Sequence, residues 1–129
     1  MNQKNTIRPT EAELEILQIL WMSEPSTVRY VNDILNEKKD VGYTTTLKIM
    51  QIMTKKGFVE RNKEKRTHIY KTIISEKETK NLLLSKFLNA TFGGSAAKLV
   101  MQALGNHKTH KEELGKIKNL IKEIEENEL

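Results

Sequence analysis

Between residues 10 and 74, three amphipathic helical periods run straight into two β-rich segments joined by a short charged turn. That order, helix, helix, helix, hairpin, admits few packings. Thr10-Glu-Ala-Glu13 has the spacing of a capping box, a hydroxyl at the N-cap and a carboxylate three residues on. Leu14, Leu17, Leu20 and Trp21 follow at helical spacing, with Ile16 widening the stripe. This predicts a helix over 11–23, stopped by Pro25. Ser26 and Thr27 can cap a second helix, in which Val28, Val31, Ile34 and Leu35 share a face and which ends near Lys38. After a turn at 39–42, a third helix is predicted from about Tyr43 to Lys56, closed by Gly57. Thr46, Ile49, Met50 and Met53 make its apolar face, and Thr44, Thr45, Lys48, Gln51 and Lys55 the opposite one. Residues 58–62 and 67–74 read as two strands of a hairpin whose turn, 63–66, is basic.

The remainder reads as three more helices. Ser75-Glu-Lys-Glu78 is a second capping box, followed by Leu82, Leu83, Leu84, Phe87 and Leu88. Three consecutive leucines spread over about 200° of a helix circumference, so this fourth helix is expected to be covered on more than one side. Phe92-Gly-Gly94 interrupts it. Ser95 can cap a fifth helix, carrying Leu99, Val100 and Leu104 and closing at Gly105. Thr109 to Glu112 has capping-box spacing for a sixth, in which Leu114, Ile117, Ile121 and Ile124 alternate steps of three and four, as an interface stripe does. The expected fold is mainly α: a winged helix-turn-helix with a two-stranded β wing over 1–74, then a C-terminal three-helix region over 75–129. Apolar residues make up only 37% of the chain, and charged ones 30%. A core that modest leaves apolar surface for a partner to cover.

Charge is distributed unevenly. Residues 41–74 carry eight basic side chains against two acidic ones, whereas residues 1–40 carry five against seven. A local basic patch of this kind is the electrostatic footprint of a nucleic-acid surface. The chain has no cysteine, which excludes disulfides, zinc–thiolate sites and thiol chemistry. Neither a secretory leader nor a membrane span is expected, and the cytoplasm is the expected location. His107 and His110 sit at a helix start and read as solvated, as do the Glu112-Glu113 and Glu125-Glu126 pairs. With no nucleophile constellation and no phosphate-cradling glycine loop, neither enzyme activity nor any metal or cofactor is expected.

In a helix-turn-helix the second of the two helices enters the major groove. Here that is the third helix of the chain. Thr44 and Thr45 in its first turn allow close approach, and their hydroxyls can bond a phosphate or a base edge. Lys48 lies one turn on from Thr44 and reaches a phosphate or a guanine edge, while Gln51 suits adenine. Arg61, Lys63, Lys65 and Arg66 fit a wing against the flanking backbone. Leu47 and Ile52 lie off the main core face; the pattern leaves open whether they pack on the wing, meet thymine methyls or join the core edge. The expected partner is double-stranded DNA. A winged-helix module that binds protein, or a regulator released by a small molecule, is the alternative.

With these stretches in place, the sequence resembles the penicillinase-repressor (BlaI/MecI/CopY) family. The resemblance rests on Pro9 to Trp21, Thr27 to Leu35, Gly42-Tyr-Thr-Thr45 through Lys56-Gly-Phe-Val59, Phe92-Gly-Gly-Ser95, and the Leu99-Val100 pair. It implies a homodimeric cytoplasmic repressor that binds a palindromic operator. By that resemblance Tyr43, Thr44, Thr45 and Lys48 take the DNA-contact role, and helices four to six the dimer role. The interface expected from them comprises Leu83, Leu84, Phe87, Leu88, Phe92, Leu99, Val100, Leu104, Leu114, Ile117 and Ile121. Copper-responsive members carry Cys-x-Cys motifs that this chain lacks. Antibiotic-responsive members are released when a membrane sensor protease cuts an Asn-Phe bond shortly after the Leu-Val pair. Here Gln102-Ala103 stands at that position, so such release requires a partner protease of different specificity.

Overall fold

The computed structural model describes residues 7–62 and 68–128. Their order is α1 (Glu11–Ser23), β1 (Ser26–Thr27), α2 (Val28–Leu35), α3 (Tyr43–Lys56), β2 (Val59–Asn62), β3 (Ile69–Thr72), α4 (Glu76–Phe92), α5 (Ala96–Asn106) and α6 (Lys111–Asn127). Two compact units emerge, Met1–Leu84 and Ser85–Leu129, with α4 running from the first into the second. The first is a winged helix-turn-helix.

The capping box at Thr10 forms in full. Glu13 N–H donates to Thr10 Oγ1 (3.1 Å), and Thr10 N–H donates to Glu13 Oε1 (2.9 Å). α3 ends where glycine is needed: Gly57 adopts φ 82°, its N–H reaches Thr54 O, and Phe58 N–H reaches Met53 O. These two bonds are a Schellman closure, which a side chain bearing Cβ resists. Ile16, Leu17, Leu20, Val31, Met50, Met53 and Val59 are fully buried, joined by Tyr70 from β3. Each such apolar side chain contributes about 1.5–3 kcal/mol by leaving water. Leu47 packs against this core, whereas Ile52 stays exposed.

Three local expectations change. The sheet has three strands, in the order β1-β3-β2, all antiparallel. Ser26 pairs with Tyr70 and Thr27 with Ile69. A two-residue strand carries no periodicity to read, and Thr27 serves twice, because its hydroxyl also accepts from Tyr30 N–H to cap α2. α2 stops at Leu35 rather than near Lys38, with Asn36 as its C-cap. The capping box expected at Thr109 does not form: His110 is the N-cap of α6, and Thr109 Oγ1 donates to His107 O.

Tertiary hydrogen bonds hold the helices to the sheet. Trp21 Nε1 donates to Ile74 O (3.2 Å), and Glu24 Oε2 accepts from both the backbone and the hydroxyl of Thr72, each at 2.7 Å. The C-terminal end of α3 is tied to α1 by Lys56, whose ammonium donates to both oxygens of the buried Glu13 (2.9 and 3.1 Å). Burial raises the Glu13 pKa, but the hydrogen bonds from Lys56 and Thr10 and the Lys56 charge outweigh it, so the carboxyl titrates below its ordinary value of 4.5. A carboxylate with a depressed folded pKa adds stability above its unfolded pKa and loses it as pH falls through the folded one. Acidification below pH 4.5 is therefore expected to destabilise the parent more than a Glu13→Gln variant. At neutral pH that variant is expected to be about 1–2 kcal/mol less stable, since the amide cannot satisfy both Thr10 and the charged Lys56. Urea midpoints at several pH values check both statements, and equal pH dependence in the two proteins would contradict them.

Candidate nucleic-acid interface

The buried stripe of α3 is Thr46, Met50 and Met53, which fixes the opposite face as the one turned to solvent. Tyr43, Thr44, Thr45, Lys48, Gln51 and Lys55 are all exposed on α3. The first turn of this helix is open. Its N-cap, Gly42, offers no side-chain oxygen, so no capping side chain competes for the N–H groups there. An uncapped helix start carries partial positive charge and free donors, and suits an anionic oxygen. The last turn carries Lys55 and Lys56, but only Lys55 projects without an ion pair to Glu13.

β2 and β3 place the wing beside this helix. Arg61 stands opposite Tyr70 in the ladder, and its Nη1 lies 3.2 Å from His68 Nδ1. Glu60 pairs with Lys71 across the same two strands (3.1 Å). One cleft is lined by Gln51, Thr54 and Lys55 from α3 together with Arg61 and Tyr70 from the sheet. The structure thus brings Gln51, Lys55 and Arg61 together, and sets Tyr43, Thr44, Thr45 and Lys48 further along the same helix. Lys63, Lys65 and Arg66 lie outside the described residues.

Arg29 joins this face although the sequence pattern did not single it out. Its guanidinium carbon sits 5.4 Å from the centroid of the Tyr43 ring. The stack holds a cation at the open start of α3 and fixes the tyrosine ring beneath it. The two residues are separated by the whole helix-turn-helix turn, so no local pattern marks the pair.

In the second unit, no residue of α5 or α6 is buried. Phe87 is 55% exposed, Met101 74% and Ile121 50%, and Val100 and Leu104 are exposed with them. Leu84 is also open to solvent, while Leu83, Leu88, Phe92, Leu99, Leu114 and Ile117 are half-buried. Ile124, the last of the expected stripe, is exposed as well, as are Met101 and Leu120 outside the expected set. Phe87 and Phe92 meet edge to face at 5.9 Å. Gln102 and Ala103 lie inside α5, exposed but helical. Among the described residues no helix is long and apolar enough to cross a membrane, and no three His, Asp or Glu side chains gather as metal ligands do.

Comparison with known proteins places the chain. It is 22% identical over 116 residues to the methicillin resistance regulatory protein MecI of Staphylococcus aureus (strain N315), covering 90% of this chain and 94% of that protein. It is 30% identical over 87 residues to the transcriptional regulator BlaI of Mycobacterium tuberculosis (strain CDC 1551 / Oshkosh), covering 66% of this chain and 63% of that one. Among solved structures, it matches the Bacillus licheniformis BlaI monomer in complex with the blaP half-operator, with a TM-score of 0.49 and 24% identity over 56% of this chain and 88% of that chain. The family model for the penicillinase repressor matches residues 9–123, which take in the winged helix and most of the C-terminal helices. The chain belongs to the penicillinase repressor family, a family of repressors and not of enzymes.

Proposed function

We propose that the protein is a homodimeric, sequence-specific DNA-binding repressor that reads a palindromic operator with α3. The observation that carries this reading is the exposed face of α3: an uncapped first turn with Thr44 and Thr45, then Lys48, then Gln51 and Lys55, the last two lining one cleft with Arg61 of the wing. Tyr43, Thr44 and Thr45 meet phosphate and base edges at the start of the helix, and Lys48 and Gln51 read bases deeper in the groove. Lys55 and Arg61 contact backbone phosphate, the role the sequence also suggests for Lys63, Lys65 and Arg66. Arg29 adds a further cation beside Tyr43. The MecI and BlaI names of its relatives, and the half-operator bound to one of them, point the same way.

Dimerisation is supported by the second unit. Helices without a buried residue bury too little apolar surface to be stable alone, and a second copy of the same helices would cover Phe87, Met101, Leu120 and Ile121. Two copies would set their recognition helices about one turn of DNA apart, roughly 34 Å, matching a two-fold operator. Release by a membrane sensor protease at Gln102-Ala103 is part of the reading. Because that bond is helical, a protease must first unwind α5, and the glycine at 105 and the short helix make local opening accessible.

The test is a fluorescence-anisotropy titration of the protein against a duplex that it selects from a random pool, repeated across salt. Lys and Arg contacts release counterions, so log affinity is expected to fall linearly with log salt, with a slope of about −0.9 for each phosphate neutralised. An affinity independent of salt, or no selection at all, would contradict DNA binding through this face.

A further inference from the structure

The segment between α2 and α3, residues 36–42, has almost nothing apolar to hold it. Residues 36–40 and Gly42 are exposed, and Val41 is only half-buried. Backbone bonds from Glu37, Lys38 and Lys39 to the end of α2 and a Lys39–Glu15 ion pair (2.6 Å) hold its first half; at Val41 it is held by two amide side chains, Asn32 of α2 and the C-cap Asn36. Val41 C=O accepts from Asn32 Nδ2 (3.0 Å) and from Asn36 Nδ2 (2.8 Å), and Val41 N–H donates to Asn36 Oδ1 (3.1 Å). The backbone of Val41 is thus satisfied by side chains, and the two lone pairs of its carbonyl are both used. The second hydrogen of each amide is committed too. Asn36 Nδ2 also donates to Asn32 O (2.8 Å), which fixes its own rotamer, and Asn32 Nδ2 donates to Thr46 Oγ1 (2.8 Å). Thr46 is fully buried in α3, and Asn32 is buried in α2, so this bond joins the two helices directly.

We propose that Asn32 and Asn36 are positioning residues for DNA reading: together they clamp Val41 and Thr46, and so set the angle at which α3 is presented to the groove. The proposal rests on the assignment of α3 as the DNA-reading helix. Its physical basis is the difference between two kinds of contact. The apolar stripe of Val31, Leu35, Met50 and Met53 holds α3 against α2 but is non-directional, and tolerates small rotations. Hydrogen bonds weaken steeply off line, so three that meet at Val41 and one that reaches Thr46 select one orientation. Base readout needs side chains held within about 0.5 Å and 10–20° of the productive geometry, whereas phosphate attraction does not. Loosening the clamp should therefore cost sequence discrimination before it costs affinity for DNA in general. A residue that merely supported the fold would lower both together, through the unfolded fraction, or neither.

The experiment compares the parent with Asn36→Ala, at an exposed position, and Asn32→Leu, which keeps the volume and removes the donors. Each is titrated at one salt concentration against the duplex that the parent selects from a random pool and against a scrambled duplex of the same composition. Circular dichroism gives the folded fraction. The clamp account expects affinity for the selected duplex to fall about tenfold in each variant, with affinity for the scrambled duplex within about twofold of the parent. It also expects hydrogen exchange at Val41 N–H to speed up by about tenfold or more in Asn36→Ala, with Met50 and Met53 N–H unchanged. If Asn32→Leu does not fold, Asn36→Ala alone decides. A ratio of selected to scrambled affinity within twofold of the parent overturns the proposal, as does a parallel fall in both affinities. Unchanged exchange at Val41 overturns the clamp itself. A parent that selects no duplex overturns the DNA reading and the proposal with it, and Val41 exchange then shows separately whether the clamp exists.

Discussion

Replacing Phe87 and Ile121 together with alanine is expected to turn the proposed dimer into a monomer and to weaken binding to a two-half-site operator by about a hundredfold or more. Both side chains are about half exposed in the single chain, on helices that bury little of their own. If a second copy covers them, the double substitution removes two of the largest apolar contributions to that interface. Each half-site is then bound alone, and the gain in effective concentration that a tethered second half-site provides is lost. Affinity for an isolated half-site should stay within about twofold of the parent, because the winged helix has its own core, from Ile16 to Tyr70, and contains neither residue. Sedimentation equilibrium reads the oligomeric state and anisotropy the two affinities. A variant that remains dimeric would move the interface away from these two residues, toward Met101 and Leu104 on α5.

Lys48→Ala and Thr45→Ala are expected to weaken operator binding by about tenfold or more each, as loss of a good base or phosphate contact does. Neither change should alter the folded fraction. Both side chains are exposed on α3, and an exposed helix position replaced by alanine changes stability by about 0.5 kcal/mol at most. Normal binding by both variants would remove α3 from the groove. The same substitutions separate roles: if Lys48 meets a base, the loss is confined to one operator position, and if it meets phosphate, the loss is uniform across sequences and the salt slope drops by about one.

Much of this face could be read before the fold was known, because its determinants are local. Thr10 with Glu13, and Lys56 with Gly57, mark helix ends through bonds that span three to five residues, and both closed as the spacing predicts. The alternation of buried Thr46, Met50 and Met53 with exposed Thr45, Lys48 and Gln51 is likewise a property of one helix. What escaped is non-local. Arg29 meets Tyr43 across the turn, and Lys56 reaches back to Glu13, a contact no periodicity encodes. β1 is two residues long and pairs with a strand far along the chain. α2 ends at Leu35 rather than near Lys38, because Asn36 turns its side chain to Val41 and caps the helix there, a bond that apolar spacing does not encode. Thr109 shows the reverse failure: the capping spacing was present, but its hydroxyl turned to His107 O.

Hydroxyl-radical footprinting of the protein on the duplex it selects tests the central claim most directly. A homodimer reading a palindrome with two α3 helices should protect two patches related by a two-fold axis and centred about one helical turn apart, roughly 34 Å, with wing contacts on their flanks. With the Phe87→Ala, Ile121→Ala variant both patches should fade together and return only at the higher concentrations that fill an isolated half-site. A single unsymmetrical patch with the parent, or protection unchanged when Lys48 is replaced by alanine, would contradict it.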